Sequence, residues 1–186
     1  MKLLKVRYAL LFMTLVSLAI AEEKATCHES SRYLIVEGST GEVGTNFLVK
    51  YKRQKGKPPV CKYVVEPGDF EIRNEEAEYF LGLQGDLLIL DSGTGPDPRG
   101  LIIWDLSKKK KVYTGTYSSG SGEEVKIKPG YMEFWLETGR ATDENCPKAK
   151  EWRANGLGAV IETWVRLDLS HFTLTKSSKT RCSSRQ

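Results

Sequence analysis

The sequence predicts an all-β fold, an antiparallel sandwich or barrel-like domain with one short helix and a pair of disulfides. Three observations support this prediction. Short segments rich in β-branched and aromatic residues follow one another along the chain, and Gly, Pro, Asn, Asp or Ser separates them. Turn sequences lie between the apolar segments. Four cysteines follow a secretory leader, which would place them in a compartment where disulfides form.

The predicted strands cover most of the chain. They are residues 32–37, 46–52, 60–65, 69–73, 77–83, 86–90, 101–106, 111–117, 123–128, 131–137, 158–169 and 171–175. Residues 124–128 alternate between polar and apolar, which predicts one solvated face. Residues 87–90 and 101–104 are continuous apolar runs, so we expect these two strands to be central and covered on both faces.

Turn and helix signals divide the chain between these strands. Residues 66–69, 84–86 and 128–130 contain Gly or Pro-Gly and predict tight turns, and residues 107–110 predict a lysine-rich hairpin loop. Pro147 suits a first helical position, and Gly156 can end a helix of about two turns. We expect Trp152 on that helix to face the sheet.

Residues 1–21 have the three-part pattern of a secretory signal peptide. Lys2, Lys5 and Arg7 precede an apolar run over 8–20, and small residues occupy positions 19 and 21. The run is about 13 residues long, whereas a spanning helix needs roughly 20. We therefore expect cleavage after Ala21, no transmembrane anchor afterwards, and a secreted or periplasmic location.

Loss of the leader changes the electrostatics of the chain. The net charge of +4 comes from 28 basic and 24 acidic residues, and the leader holds three of the basic residues and no acid, which leaves 25 against 24. A charge near zero gives no overall attraction to nucleic acid, so no nucleic-acid partner is expected. The mature chain, residues 22–186, has the length of a single domain.

The four cysteines allow three pairings. Cys27–Cys61 and Cys146–Cys182 are favoured because they join sequence neighbours and close loops of about 35 residues, each able to stabilise the fold by roughly 3–4 kcal/mol. A zinc site or a catalytic thiol is the alternative, but the close C-x-x-C pairs of zinc sites are absent. No metal and no cofactor are expected.

Residues 87–95, Leu-Leu-Ile-Leu-Asp-Ser-Gly-Thr-Gly, resemble the active-site loop of pepsin-like and retroviral-type aspartic proteases. That chemistry needs two carboxylates that share a proton. Because the motif occurs once, the resemblance implies a homodimer that pairs two copies of Asp91. The family also has a downstream apolar-apolar-Gly segment, for which Leu157–Gly158 is the nearest match. The alternative is a strand that ends in a Gly-rich turn, with Asp91 capping backbone amides.

Residues 91–100 are also the candidate binding loop. Pro96 and Pro98 stiffen it, and stiff loops on rigid strands often carry binding residues. The candidate binding residues are Asp91, Thr94, Asp97 and Arg99. The alternative is a structural loop with an internal salt bridge. Residues 101–115 resemble the outer hairpin of a β-propeller blade, but no blade period appears, so this resemblance implies an exposed hairpin.

Basic residues cluster in two places, over 49–62 and in the tail over 176–185. Either cluster could meet anionic glycans, lipid headgroups or phosphate, and the alternative is a solvated hairpin and a solvated tail. The two histidines, His28 and His171, belong to no catalytic motif. We expect the four tryptophans to be core or sheet-face residues.

These features favour a non-enzymatic secreted or periplasmic protein that binds a macromolecule, either an unknown protein or an envelope or glycan ligand. The first alternative is a dimeric aspartic hydrolase that uses Asp91. The second is a structural subunit of the envelope. The absence of an N-x-Ser/Thr sequon favours a bacterial periplasm.

Overall fold

The computed structural model describes residues 25–52, 57–119 and 125–186, so the predicted signal peptide lies outside the described residues. Within them the chain forms three four-stranded antiparallel sheets, each built from consecutive strands. Sheet 1 contains β1 (Cys27–Glu29), β2 (Tyr33–Ser39), β3 (Thr45–Tyr51) and β4 (Phe70–Ile72). Sheet 2 contains β5 (Glu78–Gln84), β6 (Leu87–Ser92), β7 (Arg99–Asp105) and β8 (Lys110–Tyr117). Sheet 3 contains β9 (Lys126–Lys128), β10 (Tyr131–Arg140), β11 (Gly158–Asp168) and β12 (Leu174–Arg185), and the helix α1 (Ala149–Ala154) precedes β11.

Sheet 2 is the middle layer, and both of its faces are buried. Even-numbered residues of β6 and β7 pack against sheet 1, among them Leu88, Leu90 and Ile102. Odd-numbered residues of the same strands pack against sheet 3, among them Ile89 and Leu101. Because side chains alternate along a strand, a strand covered on both sides must be apolar throughout. The prediction that these two strands are central and doubly covered is confirmed.

The predicted turns join the strands at glycines with left-handed backbone. Gly85 has a φ of 58° between β5 and β6, and Gly130 has a φ of 82° between β9 and β10. A side chain is strained at such angles, so glycine suits both positions. Sheets 2 and 3 also meet at one edge, where the amide of Ser118, just after β8, donates to the carbonyl of Trp135 in β10.

The outer face of sheet 1 is covered by the segment of residues 57–69 instead of by a fourth sheet. The Tyr63 ring packs with Leu34, Val36 and Leu48 on that face. It lies so close to Gly38 that a Cβ there would be 2.4 Å from the ring. The prediction of a strand over 60–65 is wrong, because this segment lies across a sheet face and does not pair as a strand. The Val64 amide donates to the nearby Lys62 carbonyl at 2.9 Å instead.

The C-terminal strand is longer than predicted. The expected strand over 171–175 begins instead at Leu174 and continues to Arg185, so the basic tail is an edge strand paired with β11 along most of its length. Its side chains are largely exposed, and the pairing uses backbone groups that any residue supplies. Two of its arginines, Arg181 and Arg185, reach the fully buried Glu162 of β11.

Helix α1 and both disulfides form as predicted. The Trp152 ring packs with Ala159 and Ile161 of β11, so it faces the sheet. The disulfides are Cys27–Cys61 and Cys146–Cys182, and no cysteine is free. The first joins β1 to the 57–69 segment, and the second joins β12 to the loop before α1. Within the described part of the chain, no helix has the length and apolar character needed to cross a bilayer.

We predict that the doubly covered strands dominate the stability. Ile89→Ala removes a side chain with no exposed surface, and we expect a loss of about 2–5 kcal/mol of unfolding free energy in urea titrations. The control Val43→Ala, at a residue 58% exposed, should change the same quantity by less than about 0.5 kcal/mol. Equal losses for the two variants would contradict the assignment of sheet 2 as the central layer.

Candidate binding groove between sheets 1 and 2

An open groove of about 990 Å³ lies at one end of the interface between sheets 1 and 2. Tyr33, Val49 and Tyr51 line it from the inner face of sheet 1. Leu106 and Lys109 line it from the turn between β7 and β8. The remaining wall comes from residues 57–60 and 66–70 around the short edge strand β4. The volume is at the upper end of the range found for small-molecule sites.

Aromatic rings form one part of the groove lining. The Tyr33 and Tyr51 rings meet edge to face, with centroids 5.7 Å apart. The Tyr51 side chain is 52% exposed, so much of this ring is open to a ligand. Burial raises the pKa of the Tyr33 hydroxyl above its ordinary value, and the nearby Asp86 carboxylate adds to the effect. Tyr33 is therefore a neutral hydrogen-bonding group at physiological pH.

Cations form the second part of the lining. The Lys109 ammonium lies 5.0 Å from the centroid of the Phe70 ring. Lys57 is exposed at the rim, and the Arg32 guanidinium is paired with Asp86. Arg32, Lys57 and Lys109 all line the groove, so their side chains can contact a ligand there.

A buried lysine pairs with the two acids of the groove. Lys50 is only 3% exposed, and its ammonium donates to the Val64 carbonyl at 2.7 Å. It also lies 3.2 Å from a carboxylate oxygen of Asp69 and 3.5 Å from one of Glu66. Buried charges require such partners. Among the described residues, the groove and its direct ion-pair partners hold four cations and three carboxylates, which leaves a small positive excess: Arg32, Lys50, Lys57 and Lys109 against Glu66, Asp69 and Asp86.

Asp105 fixes the turn that brings Lys109 to the groove. Its carboxylate accepts hydrogen bonds from the Ser107 hydroxyl at 2.6 Å and from the Lys108 amide at 3.0 Å. The Lys108 ammonium lies 2.7 Å from its other oxygen. Burial on its own would raise the pKa of Asp105, but the hydrogen bonds from Lys108 and Ser107 outweigh it and lower the pKa from 3.8 to about 2. Lys109 follows with a left-handed φ of 51°.

The loop predicted to bind lies at the other end of β7. Arg99 pairs with both oxygens of Asp91, through Nε at 2.9 Å to Oδ1 and through Nη2 to Oδ2. The Tyr117 hydroxyl donates to Oδ1 of Asp91 at 2.7 Å, and burial together with this carboxylate raises the Tyr117 pKa. Asp97 accepts from the Ser119 hydroxyl at 2.9 Å, and Thr94 is exposed at the tip of the loop. The structure brings Asp91, Arg99 and Tyr117 together but places them about 20 Å from the groove, the length of the strand between them.

The environment of Asp91 favours the structural interpretation of this loop. An aspartic protease dyad needs a second carboxylate beside the first, with a proton between them. Here the Arg99 side chain occupies the positions where that carboxylate would hydrogen-bond. Leu157–Gly158, the nearest match to the downstream protease segment, lies at the start of β11 in sheet 3. The hydrolase remains an alternative that this geometry does not favour.

The remaining residues singled out in the sequence occupy structural positions. His28 stacks on Phe80 with ring centroids 3.4 Å apart, and its Nε2 lies 2.6 Å from a Glu37 oxygen. Trp135 and Trp164 meet edge to face at 5.3 Å on sheet 3. In the described ranges, no group of three His, Cys, Asp or Glu side chains is arranged to hold a metal ion.

The sequence contained part of the signal for the groove. Lys57 lies in the basic run over 49–62, and Lys109 lies in the lysine-rich loop over 107–110. Neither segment indicates that the two meet, because their contact depends on how sheet 1 packs against sheet 2. Tyr33, Tyr51 and Phe70 looked like ordinary strand residues and carried no signal of their own.

We predict that Asp91 and Arg99 stabilise the fold as a coupled pair. In a double-mutant cycle of Asp91→Asn and Arg99→Gln, we expect each single change to cost about 2 kcal/mol of unfolding free energy, because each leaves a partly buried polar group without its partner. The coupling energy measured by urea unfolding should be about 1–3 kcal/mol. Strictly additive losses would show that the pair has no structural role.

We also predict an acid-sensitive contribution from Asp105. Its pKa is lower in the folded state than in the unfolded chain, so its stabilisation is present above about pH 4 and declines as the pH falls towards about 2. Near neutral pH we expect the free energy of unfolding of the native protein to exceed that of Asp105→Asn by about 1 kcal/mol, and we expect this difference to shrink in acid. Urea midpoints measured as a function of pH test this. The control Asp143→Asn, at an exposed ion pair with Arg153, should show a smaller difference, and a gap for Asp105→Asn that widens in acid would contradict the sign.

Comparison with protein-family models, with curated proteins and with solved structures finds no match to this chain. The function therefore has to be inferred from the chemistry of its own surface. On that surface the groove combines an open volume, the exposed Tyr51 ring and cations, whereas the side chains of the Asp91 loop are hydrogen-bonded to one another.

Proposed function

We propose that this chain is a non-enzymatic secreted or periplasmic protein that binds an anionic macromolecule or envelope component in the groove between sheets 1 and 2. The observation that carries the proposal is the meeting of cations with the exposed Tyr51 ring and the half-buried Phe70 ring in one open cavity. Arg32, Lys57 and Lys109 supply positive charge, and Tyr51 and Phe70 supply apolar ring faces. This combination suits a ligand that has both acidic groups and a nonpolar surface.

The surrounding structure supports a rigid binding site. The Lys50 ammonium donates a hydrogen bond to the 57–69 segment at the Val64 carbonyl, and the Asp105 carboxylate accepts one from the turn that contains Lys109. Side chains fixed in this way lose little conformational entropy on binding. The two disulfides are compatible with an extracytoplasmic location, where such a protein would meet envelope components.

Two other functions lead to different outcomes. A dimeric aspartic hydrolase would cleave a peptide library at acid pH as a dimer, and Asp91→Asn would abolish the cleavage while leaving the protein folded. A structural envelope subunit would co-purify in a stoichiometric assembly. A monomer by sedimentation that cleaves no peptide and enters no assembly removes both alternatives.

We predict that a charge reversal in the groove weakens ligand binding selectively. The mature, oxidised protein is titrated with three purified anionic probes: an acidic polysaccharide, inorganic pyrophosphate and vesicles that contain phosphatidylglycerol. We expect it to bind at least one of them, and Lys109→Glu to lower the affinity about tenfold or more, as for the loss of a charge-assisted contact. The matched control Lys128→Glu makes the same charge change at an exposed site on β9 and should have less than a twofold effect.

The salt dependence provides a second measurement. Binding through Lys109 and its neighbours should weaken as ionic strength rises, since salt screens exposed charges. The proposal fails if none of the probes binds, or if Lys109→Glu and Lys128→Glu lower the affinity equally.

A further inference from the structure

Three exposed valines lie on the 57–69 segment. Val60 lines the groove, and Val64 lines a second pocket together with Gly44 and Thr45. Val60, Val64 and Val65 have exposed fractions of 49%, 58% and 57%. Tyr51, at the groove mouth, is 52% exposed. Among the described residues, these four account for most of the large apolar side chains that are this exposed, and the others are Val43 and Leu174. We call residues 60–65 the valine segment.

The valine segment is held in place by contacts on its inner side. The Tyr63 ring packs against the outer face of sheet 1, and Cys61 forms a disulfide with Cys27 in β1. The Val64 carbonyl accepts a hydrogen bond from the buried Lys50. Because Cys61 and Tyr63 fix the segment to sheet 1, its valines cannot turn into the core. Clustered apolar side chains on a fixed surface mark a site of contact with another apolar phase or molecule.

Exposed cations flank one end of this apolar surface. Lys57 and Lys62 are exposed on either side of Val60 in the sequence, and Glu66, which follows Val65, lies 3.5 Å from the Lys50 ammonium. Val60 lines the groove itself, so the apolar surface reaches the cationic cavity at this residue. A surface with apolar side chains beside cations matches the boundary of an acidic bilayer, where phosphates lie above the acyl chains.

We propose that the groove and the valine segment together bind the surface of a bilayer that contains acidic phospholipids. A headgroup phosphate enters the groove against Lys57 and Lys109, and Val60, Val64 and Val65 enter the boundary between headgroups and acyl chains. Tyr51 at the groove mouth has the amphipathic character of side chains that favour this boundary. The inference rests on the proposed function and deepens it by naming the class of anionic ligand.

Lipid is favoured over an acidic polysaccharide because of the valines. Sugar rings stack on aromatic side chains and hydrogen-bond to polar groups, and the rings in the groove would serve either ligand. Branched aliphatic side chains gain free energy chiefly by leaving water for an apolar phase. A polysaccharide offers no such phase, whereas acyl chains do.

The test is co-sedimentation of the mature, oxidised protein with phosphatidylcholine vesicles, with and without phosphatidylglycerol. We expect binding only to the acidic vesicles. Val64→Asp and Val60→Asp should each lower the partition coefficient about tenfold, because a carboxylate replaces an apolar side chain that would enter the bilayer, and it repels the anionic surface. The matched control Leu174→Asp places the same charge at another exposed apolar residue, 42% exposed, at the start of β12 in sheet 3. It should change partition less than threefold.

The outcomes separate this inference from the proposed function. Equal effects of Val64→Asp and Leu174→Asp would overturn the bilayer inference, even if Lys109→Glu still weakened binding to an anionic probe. Binding to a soluble acidic polysaccharide and not to acidic vesicles would also overturn it and leave the proposed function standing. Failure to bind any anionic probe would overturn both. Urea midpoints confirm that each variant is folded, and Val64→Ser replaces Val64→Asp if the latter is unstable, with a smaller loss expected in the same direction.

Discussion

The burial of sheet 2 on both faces is the constraint on which the rest of the structure depends. Every side chain in the middle of β6 and β7 contacts one neighbouring sheet or the other. A one-residue register slip normally exposes a strand's apolar face, which is why register is well specified in half-buried strands. Here a slip would exchange one apolar set for another. The turns at the strand ends therefore have to specify the register, through Gly85 before β6 and Asp105 at the end of β7.

Sheets 1 and 3, the outer sheets, differ from sheet 2 because each has one face that no other sheet covers. Sheet 1 is closed by Tyr63 and the 57–69 segment, and sheet 3 receives α1 at one end of β11. Both covers are short and bury little apolar surface, and each is joined to an edge strand by a disulfide. Each of these layers also holds a buried charge with ion-pair partners: Lys50 beneath its cover in sheet 1, and Glu162 between Arg181 and Arg185 in sheet 3. Covalent bonds and paired charges thus reinforce the layers in which apolar burial is least.

The sequence predicted those features that depend on local pattern. The apolar runs at 87–90 and 101–104, the turns at Gly85 and Gly130, and the helix with Trp152 all follow from spacing and turn chemistry, and the disulfides follow from loop length. Two features depended on tertiary context. Residues 60–65 have strand composition but lie across a sheet face, and β12 is polar yet pairs along β11. The groove was unpredictable for the same reason, because Tyr51 and Lys109 are far apart in the chain and meet only when two sheets pack.

The two ends of β7 show why the groove is the better site. At one end Arg99, Tyr117 and Gly95 are joined by hydrogen bonds around Asp91, so a ligand would have to break contacts before it made its own. At the other end Asp105 forms an ion pair with Lys108, and Lys109 lines an open cavity beside the Phe70 ring. Recognition requires charge and apolar surface that the fold does not already consume. Asp91, the carboxylate that stands out in the sequence, is hydrogen-bonded within the protein. Lys109, in a turn that the sequence predicted to be only a solvated hairpin loop, is the residue that can contact a partner.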